Sequence, residues 1–310
     1  MTDIAVRVWR RRDEAEGVFS LDLAPVDGGE LPSWTPGAHI DIAVGAAGVR
    51  QYSLCGDPDD RARWRVAVLH EPDGRGGSAY LHRAAQPGSV LRVSMPRNNF
   101  ELVGRDRYVF LAGGIGITPI LPMVAAAEAA GARWSLYYGG RTRGHMAFAA
   151  AIAERYPRAN LLPQDEHGLL PLEEVFADLG EAAVYCCGPE PLLAAAEAEG
   201  GRRGVPVHVE RFVPRQVQFA PNEAFEVRLA ASGKTFRIGP NQSIADVLES
   251  AGIGIVTSCR EGTCGSCETA VLAGDIEHRD ELLTDEERAR GDTMMLCVSR
   301  ARSGPLVLDL

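Results

Sequence analysis

The sequence predicts a multidomain chain of the α/β plus β class, and three observations carry that prediction. Residues 1–102 break into short strand-like runs separated by turn residues. Residues 103–213 alternate continuous apolar runs with helical stretches. Residues 223–310 place a cysteine-rich loop inside another strand-rich segment. A length of 310 residues suits two to three domains at roughly 150 residues each. The 45% hydrophobic and 24% charged content is that of a globular protein with material for more than one core.

The first domain is expected to be a small antiparallel β-barrel spanning 1–102. Its strands are read at Ile4–Trp9, Val18–Leu23, His39–Val44, Arg50–Leu54, Trp64–His70 and Val90–Ser94, with turns such as Asp27-Gly28-Gly29 and Gly56-Asp57-Pro58 between them. From Tyr108 the pattern changes. Tyr108–Ala112 is an uninterrupted apolar run of the kind a buried parallel strand shows. A glycine turn and an alanine-rich helix to about Ala130 follow, with Pro119 expected at the first helical position. Strand Trp134–Tyr138, helix Met146–Arg155, strand Ala183–Cys187 and helix Glu190–Glu199 complete an open parallel α/β domain over 103–213.

Residues 214–222 are proline-rich and polar and read as a linker. Beyond them, Phe225–Leu229 and Lys234–Ile238 make a hairpin around Ser232-Gly233. Ser243-Ile-Ala-Asp246 and Thr284-Asp-Glu-Glu287 are capping-box helix starts, the first with Asp in place of Glu or Gln. A small mixed sheet with one main helix and a long cysteine loop results for 223–310.

Composition excludes several functions. A net charge of −10 argues against nucleic acid as a ligand. The acid is concentrated: from Glu223 onward 15 Asp and Glu face nine Lys and Arg, an acidic balance suited to steering a basic partner. Tyr108–Ala127 carries no charge and has the length of a membrane span, but Gly113, Gly114, Gly116, Pro119 and Pro122 would break such a helix, so no membrane association is expected. The arginines at 7, 10, 11 and 12 precede no apolar segment, which argues against a secretory signal. Seven cysteines without paired spacing indicate a reducing, cytoplasmic setting.

Three stretches carry chemistry. Cys259, Cys264 and Cys267 form a C-x4-C-x2-C run, with Cys297 following 30 residues after the third. This is the plant-type spacing for four thiolates on a 2Fe–2S cluster. Gly262 and Gly265 let the loop curl, and its N–H groups can face the sulfurs. A zinc site is the alternative, but zinc favours two C-x2–4-C pairs and Cys297 stands alone. The second stretch is Arg50-Gln-Tyr-Ser-Leu54 on a barrel strand. An arginine can pair a phosphate there, Tyr52 shares its face, and Ser53 can hydrogen-bond a ring nitrogen. Gly74-Arg-Gly-Gly-Ser78, opening a helix with Arg75 beside it, adds a second anion-compatible element. Together they point to a flavin. The third is Gly113-Gly-Ile-Gly-Ile-Thr-Pro119, a strand-to-helix turn suited to a dinucleotide pyrophosphate though not the G-x-G-x-x-G fingerprint, with Tyr185-Cys-Cys-Gly-Pro189 as its counterpart on another strand end.

The combination RQYSL, GRGGS, GGIGITP, YCCGP and C-x4-C-x2-C…C, in that order, resembles the phthalate dioxygenase reductase family of the ferredoxin–NADP reductase superfamily, as does the closing Val-Leu-Asp-Leu. The resemblance covers essentially the whole chain. It implies a flavin-binding β-barrel, a nicotinamide-binding α/β domain and a C-terminal β-grasp ferredoxin domain. It places Arg50, Tyr52 and Ser53 at the flavin, with Ser53 near N5, and Arg75, Gly77 and Ser78 at its phosphate. FMN rather than FAD is implied, since no segment for an adenosine is evident. Gly114, Ile115, Gly116 and Thr118 match the nicotinamide-dinucleotide loop, and Cys187, Gly188 and Pro189 its nicotinamide side. Glu210 and Phe212 fall where the family places a Glu and an aromatic near the flavin. Ser53, Cys187, Glu210 and Phe212 are thus the implied catalytic set.

The resemblance further implies an NADH-dependent reductase, with hydride passing from NADH to FMN and single electrons through the 2Fe–2S cluster to a Rieske-type terminal oxygenase, an aromatic-ring dioxygenase or demethylase. A haem monooxygenase is the runner-up acceptor. A redox-sensing regulator is the rival from another class, which no DNA-binding element or basic patch supports. NADH is the expected coenzyme even though Arg141 and Arg143 are basic where a 2′-phosphate would be read. Arg260 and Glu261 are expected at the partner surface as well as in the loop's geometry.

Overall fold

The computed structural model describes residues 4–215, 217 and 219–310. The barrel is built from β1 (Ile4–Ala15), β2 (Val18–Pro25), β3 (His39–Ala43), β4 (Val49–Ser53), β5 (Trp64–Leu69), the helix α1 (Gly77–Ala84) and β6 (Val90–Val93). Its strands run antiparallel in the order β4-β3-β6-β1-β2-β5, and a bridge between Leu54 and Val66 joins the two edges. Strand alternation sorts the side chains. Phe19, Leu21 and Leu23 of β2, with Trp64, Val66 and Val68 of β5, fill the barrel. Val18 and Ala67 face outward yet are also buried, because a second core lies against that face. Asp22 is buried among them at 2.7 Å from the Arg65 Nε and also paired with Arg12, and these arginines hold its carboxyl below the usual range against the opposing effect of burial.

The second sheet contains β7 (Arg107–Gly113), α2 (Ile117–Ala129), β8 (Arg133–Gly140), α3 (Ala149–Arg155), β9 (Asn160–Pro163), α4 (Gln164–His167), α5 (Leu172–Ala177), β10 (Ala183–Cys187), α6 (Glu190–Arg203) and β11 (Val207–Glu210). All its strands are parallel, in the order β11-β10-β7-β8-β9. The apolar run of β7 serves two layers: Tyr108, Phe110 and Ala112 enter a core with Ile117, Ile120 and Val124 of α2, whereas Val109 and Leu111 enter another with Phe176 and Leu193. That is why it reads as continuously apolar rather than alternating. Pro119 is the third residue of α2, not the first, because a tight turn over Gly114–Gly116 starts the helix earlier. Its missing N–H is still one of the donors that no helix satisfies internally.

The core containing Tyr108, Phe110 and Ile117 also takes in Val18, Cys55, Ala67 and Phe100, so the barrel and the parallel sheet share apolar packing. The chain accordingly divides into two compact units, Met1–Glu210 and Arg211–Leu310.

The second unit holds β12 (Phe225–Leu229), β13 (Thr235–Ile238), α7 (Ile244–Ser250), β14 (Glu268–Glu277), α8 (Asp285–Arg290), β15 (Thr293–Met295) and β16 (Arg300–Leu308). Its mixed sheet runs β13-β12-β16-β14-β15, with β12 parallel to β16 and the other pairs antiparallel, as a β-grasp fold requires. Ile244, Ala245 and Leu248 of α7 pack on Val227, Leu229, Ile238 and Leu306. Both capping boxes form: Ser243 Oγ accepts from Asp246 N at 3.0 Å, and Thr284 Oγ1 accepts from Glu287 N at 3.2 Å. Within the expected linker 214–222, positions 216 and 218 lie outside the described residues. Arg215 N donates to Glu281 Oε1 at 2.8 Å, and the Arg279 guanidinium lies 4.3 Å over the Phe219 ring.

Candidate functional site

The start of α1 and strand β4 make the first part of the site. Gly76 precedes the helix with φ of +83° and no side chain caps the first turn, leaving its N–H groups bare. Arg50 lies across Gly77: a Cβ there would meet the Arg50 Cγ at 2.5 Å. Its Nη2 donates to the Arg75 carbonyl at 3.1 Å, which fixes the guanidinium beside the helix start. A bare helix N-terminus with an arginine held next to it fits a flavin phosphate. Ser78 is turned another way: its Oγ accepts from Glu71 N at 3.0 Å and so braces the turn. Tyr52 packs on the barrel core, and burial pushes its hydroxyl up to about 12, so it stays protonated at neutral pH.

Ser53 ends β4 and reaches the parallel sheet, where its Oγ donates to Glu210 Oε2 at 3.5 Å. Glu210 ends β11 in register with Cys187, which ends β10, so the carboxyl and the thiol sit side by side at the carboxyl edge of the sheet. Burial raises the Glu210 carboxyl to about 8, the Ser53 hydroxyl opposing it. Cys187 is fully buried, and burial first, then Glu210, pushes its thiol well above the usual range. Both groups are therefore predominantly neutral at neutral pH. Phe212 is 41% exposed and belongs to the second unit.

The glycine turn divides its residues between packing and access. A Cβ on Gly116 would sit 2.3 Å from the Cys187 carbonyl oxygen, and one on Gly113 would sit 2.6 Å from Pro189 Cδ. A Cβ on Gly188 would in turn meet Gly113 Cα at 3.0 Å. These glycines let two strand ends touch. Gly114, at φ +53°, has nothing within 4 Å of such a Cβ and faces open space. Ile115 packs partly on the core, and Thr118 is buried with its Oγ1 donating to the Ile115 carbonyl at 2.9 Å, so it stabilises the turn from within.

In the second unit the cysteine loop curls through left-handed residues Arg260 (φ +57°), Gly262 (+74°) and Gly265 (+73°). At Gly262 a Cβ would strike Val298 Cγ2 at 2.7 Å and Asp280 Cα at 3.0 Å. Backbone N–H groups aim at sulfur: Glu261 N at Cys259 Sγ, 3.3 Å, and Ser266 N at Cys264 Sγ, 3.4 Å. Cys264, Cys267 and Cys297 are buried and Cys259 is partly accessible. Among the described residues no three His, Cys, Asp or Glu side chains converge as a single ion requires. The four sulfurs are linked in one run, Cys259 to both Cys264 and Cys297, and Cys297 to Cys267. Cys264 and then Cys297 hold the Cys259 thiol below its usual range, and Cys297 does the same to Cys267. Four neighbouring cysteine sulfurs, with N–H groups turned towards Cys259 and Cys264, fit a 2Fe–2S cluster. Arg260 is engaged inside the unit, its Nη1 on Asp246 Oδ1 at 2.6 Å and its Nη2 on Glu249, both on α7. Asp280, which closes the loop from below, carried no signal in the sequence because it lies 18 residues from Gly262.

Among the described residues no helix is long and apolar enough to cross a membrane. The family model for a 2Fe–2S iron–sulfur cluster binding domain matches residues 227–302. Phenoxybenzoate dioxygenase subunit beta of Ectopseudomonas oleovorans is 41% identical over 100% of this chain and 98% of its own length. A solved phthalate dioxygenase reductase, described as a modular structure for electron transfer from pyridine nucleotides to [2Fe–2S], matches with TM-score 0.72 and 36% identity over 100% of this chain and 98% of that one. An intact type IV self-sufficient cytochrome P450 monooxygenase matches with TM-score 0.91 and 40% identity over 99% of this chain, which spans 41% of that longer one.

Proposed function

Because the chain belongs to the phthalate dioxygenase reductase family of oxidoreductases, we propose that it is the NADH-dependent reductase component of a Rieske-type aromatic-ring dioxygenase or demethylase. The observation that carries this reading is the presence, in one chain, of the Ser53–Glu210–Cys187 junction and the four-cysteine loop. Held by these residues, FMN would supply the conversion of a two-electron hydride donor into single electrons, and a 2Fe–2S cluster would supply one-electron carriage.

This chain's residues supply placement and electrostatics. Arg50 and the N–H groups opening α1 hold the FMN phosphate, with Arg75, Gly77 and Ser78 forming the turn. Tyr52 flanks the ring system and Ser53 orients it. Gly114 gives the coenzyme's pyrophosphate access to backbone, while Gly116, Gly188, Pro189 and Thr118 keep that edge in shape and Ile115 packs behind it. Cys187 and Glu210, both neutral near pH 7, bound the nicotinamide pocket. Cys259, Cys264, Cys267 and Cys297 hold the cluster. On this reading 1–102 is the flavin domain, 103–213 the nicotinamide domain and 223–310 the ferredoxin domain. Seven cysteines without a disulfide support a cytoplasmic location.

Flavin released by heat should chromatograph as FMN; recovery of FAD would overturn that assignment. The loaded protein should reduce ferricyanide, cytochrome c and a purified Rieske-type oxygenase at the expense of NADH over many turnovers. Absence of turnover with all three acceptors would reject the reductase reading.

A further inference from the structure

The sheet order dictates where the far half of a coenzyme must lie. With nicotinamide beside Cys187 and Glu210, on β10 and β11, and the pyrophosphate at the turn after β7, the adenosine half is left with the carboxyl ends of β8 and β9. This step rests on the reductase reading above. Those ends carry Arg141-Thr-Arg143 after β8 and Gln164-Asp-Glu-His167 after β9. The two segments are tied together, Asp165 N donating to the Arg141 carbonyl at 3.2 Å. Arg143 Nη2 lies 3.6 Å from Glu166 Oε2, and the two side chains are 57% and 49% exposed. His167 Nε2 lies 3.8 Å from the same carboxylate oxygen.

We propose that Glu166 is a specificity-determining residue that makes the protein select NADH over NADPH. It holds the arginine that would otherwise read a 2′-phosphate, and it adds a negative charge at the place such a phosphate must occupy. An arginine recognises phosphate best with its fork of N–H donors free to bind in two places, and a carboxylate competes for that fork. A phosphate monoester carries about −1.5 to −2 charge at neutral pH and is repelled by Glu166 and by the neighbouring Asp165. The 2′-hydroxyl of NADH is neutral and meets neither penalty.

The test compares wild type, Glu166→Gln and the double variant Arg143→Ala/Glu166→Gln in the flavin- and cluster-loaded protein. Calorimetry gives the affinities for adenosine 2′,5′-bisphosphate and 5′-AMP, and steady-state kinetics give kcat/KM for NADPH and NADH. In Glu166→Gln both ratios should move towards the 2′-phosphorylated species by about two- to fivefold, the scale of one exposed charge pair. The double variant should lose the part of that gain due to Arg143 and keep only the part due to relief of repulsion. If wild type oxidises NADH and Glu166→Gln leaves both ratios unchanged, the gate is overturned alone. A gain that survives undiminished in the double variant overturns Arg143 as the reader. Wild-type protein that neither binds 5′-AMP nor oxidises NADH overturns the gate together with the reading beneath it.

Discussion

Replacing Glu210 with glutamine keeps the shape of the side chain and removes a proton site from the junction of barrel and sheet. The wild-type carboxyl is raised from 4.5 to about 8, chiefly by burial. A carboxyl with a folded-state value above its unfolded one binds more protons folded than unfolded between the two. Its stabilising contribution is therefore complete below about 4.5 and is lost as pH rises through about 8. At roughly 1.4 kcal/mol per pH unit this interval sets a ceiling of roughly 5 kcal/mol. Glu210 keeps some solvent access, which lowers the realised value to a few kcal/mol. The assay is urea denaturation from pH 5 to 9, followed by tryptophan fluorescence. All four tryptophans (9, 34, 64 and 134) lie before Glu210, so the signal reports the first unit. Wild type should lose a few kcal/mol relative to Glu210→Gln between about pH 5 and 8 and then run parallel to it. Difference infrared spectra should show a protonated carboxyl at pH 6.5 that the variant lacks. Parallel stability curves throughout, with no such band, would refute the account.

Cys264→Ser should abolish NADH-driven cytochrome c reduction while ferricyanide reduction continues; joint loss of both would mean that the cluster does not lie downstream of the flavin. Gly116→Ala drives a methyl into the Cys187 carbonyl and Gly188 N, at 2.3 and 2.6 Å, and should cost ~3 kcal/mol in denaturation while raising KM for NADH. Gly262→Ala combines a φ of +74° with a 2.7 Å clash on Val298 and should lower iron per chain and visible absorbance, with the first unit's fluorescence melt unchanged.

The parts of the molecule readable from sequence are those whose physics is local. Four thiolates at cluster spacing, two capping boxes and the apolar run of β7 each depend on residues a few positions apart, or on a single recurring spacing. What escaped was long-range. β11 is only Val207–Glu210, too short to show a period, and its identity as a strand comes from pairing with β10. β14 and β16 are irregular, with register shifts near Ala273 and Asp275 that interrupt alternation. The shared core of the barrel and the parallel sheet joins Val18, Cys55 and Ala67 to Ile117 and Phe148, residues with no sequence relation. At the site, Ser53 and Glu210 were placed together by family resemblance, since 157 positions separate them. The Glu166–Arg143 pair left no mark because either residue alone is an ordinary surface charge.

The division of the chain one residue after Glu210 has a calorimetric consequence. The core of the second unit draws on residues 225–310 and those of the first on residues up to 209. Heat should therefore melt the chain as two cooperative blocks rather than one. Bleaching of the cluster would follow one transition and tryptophan emission the other, and metal loss would move the first without moving the second. Iron supply would then set how much of the protein can pass electrons onward, while the NADH-oxidising half stays folded and able to spill electrons to whatever small acceptor it meets.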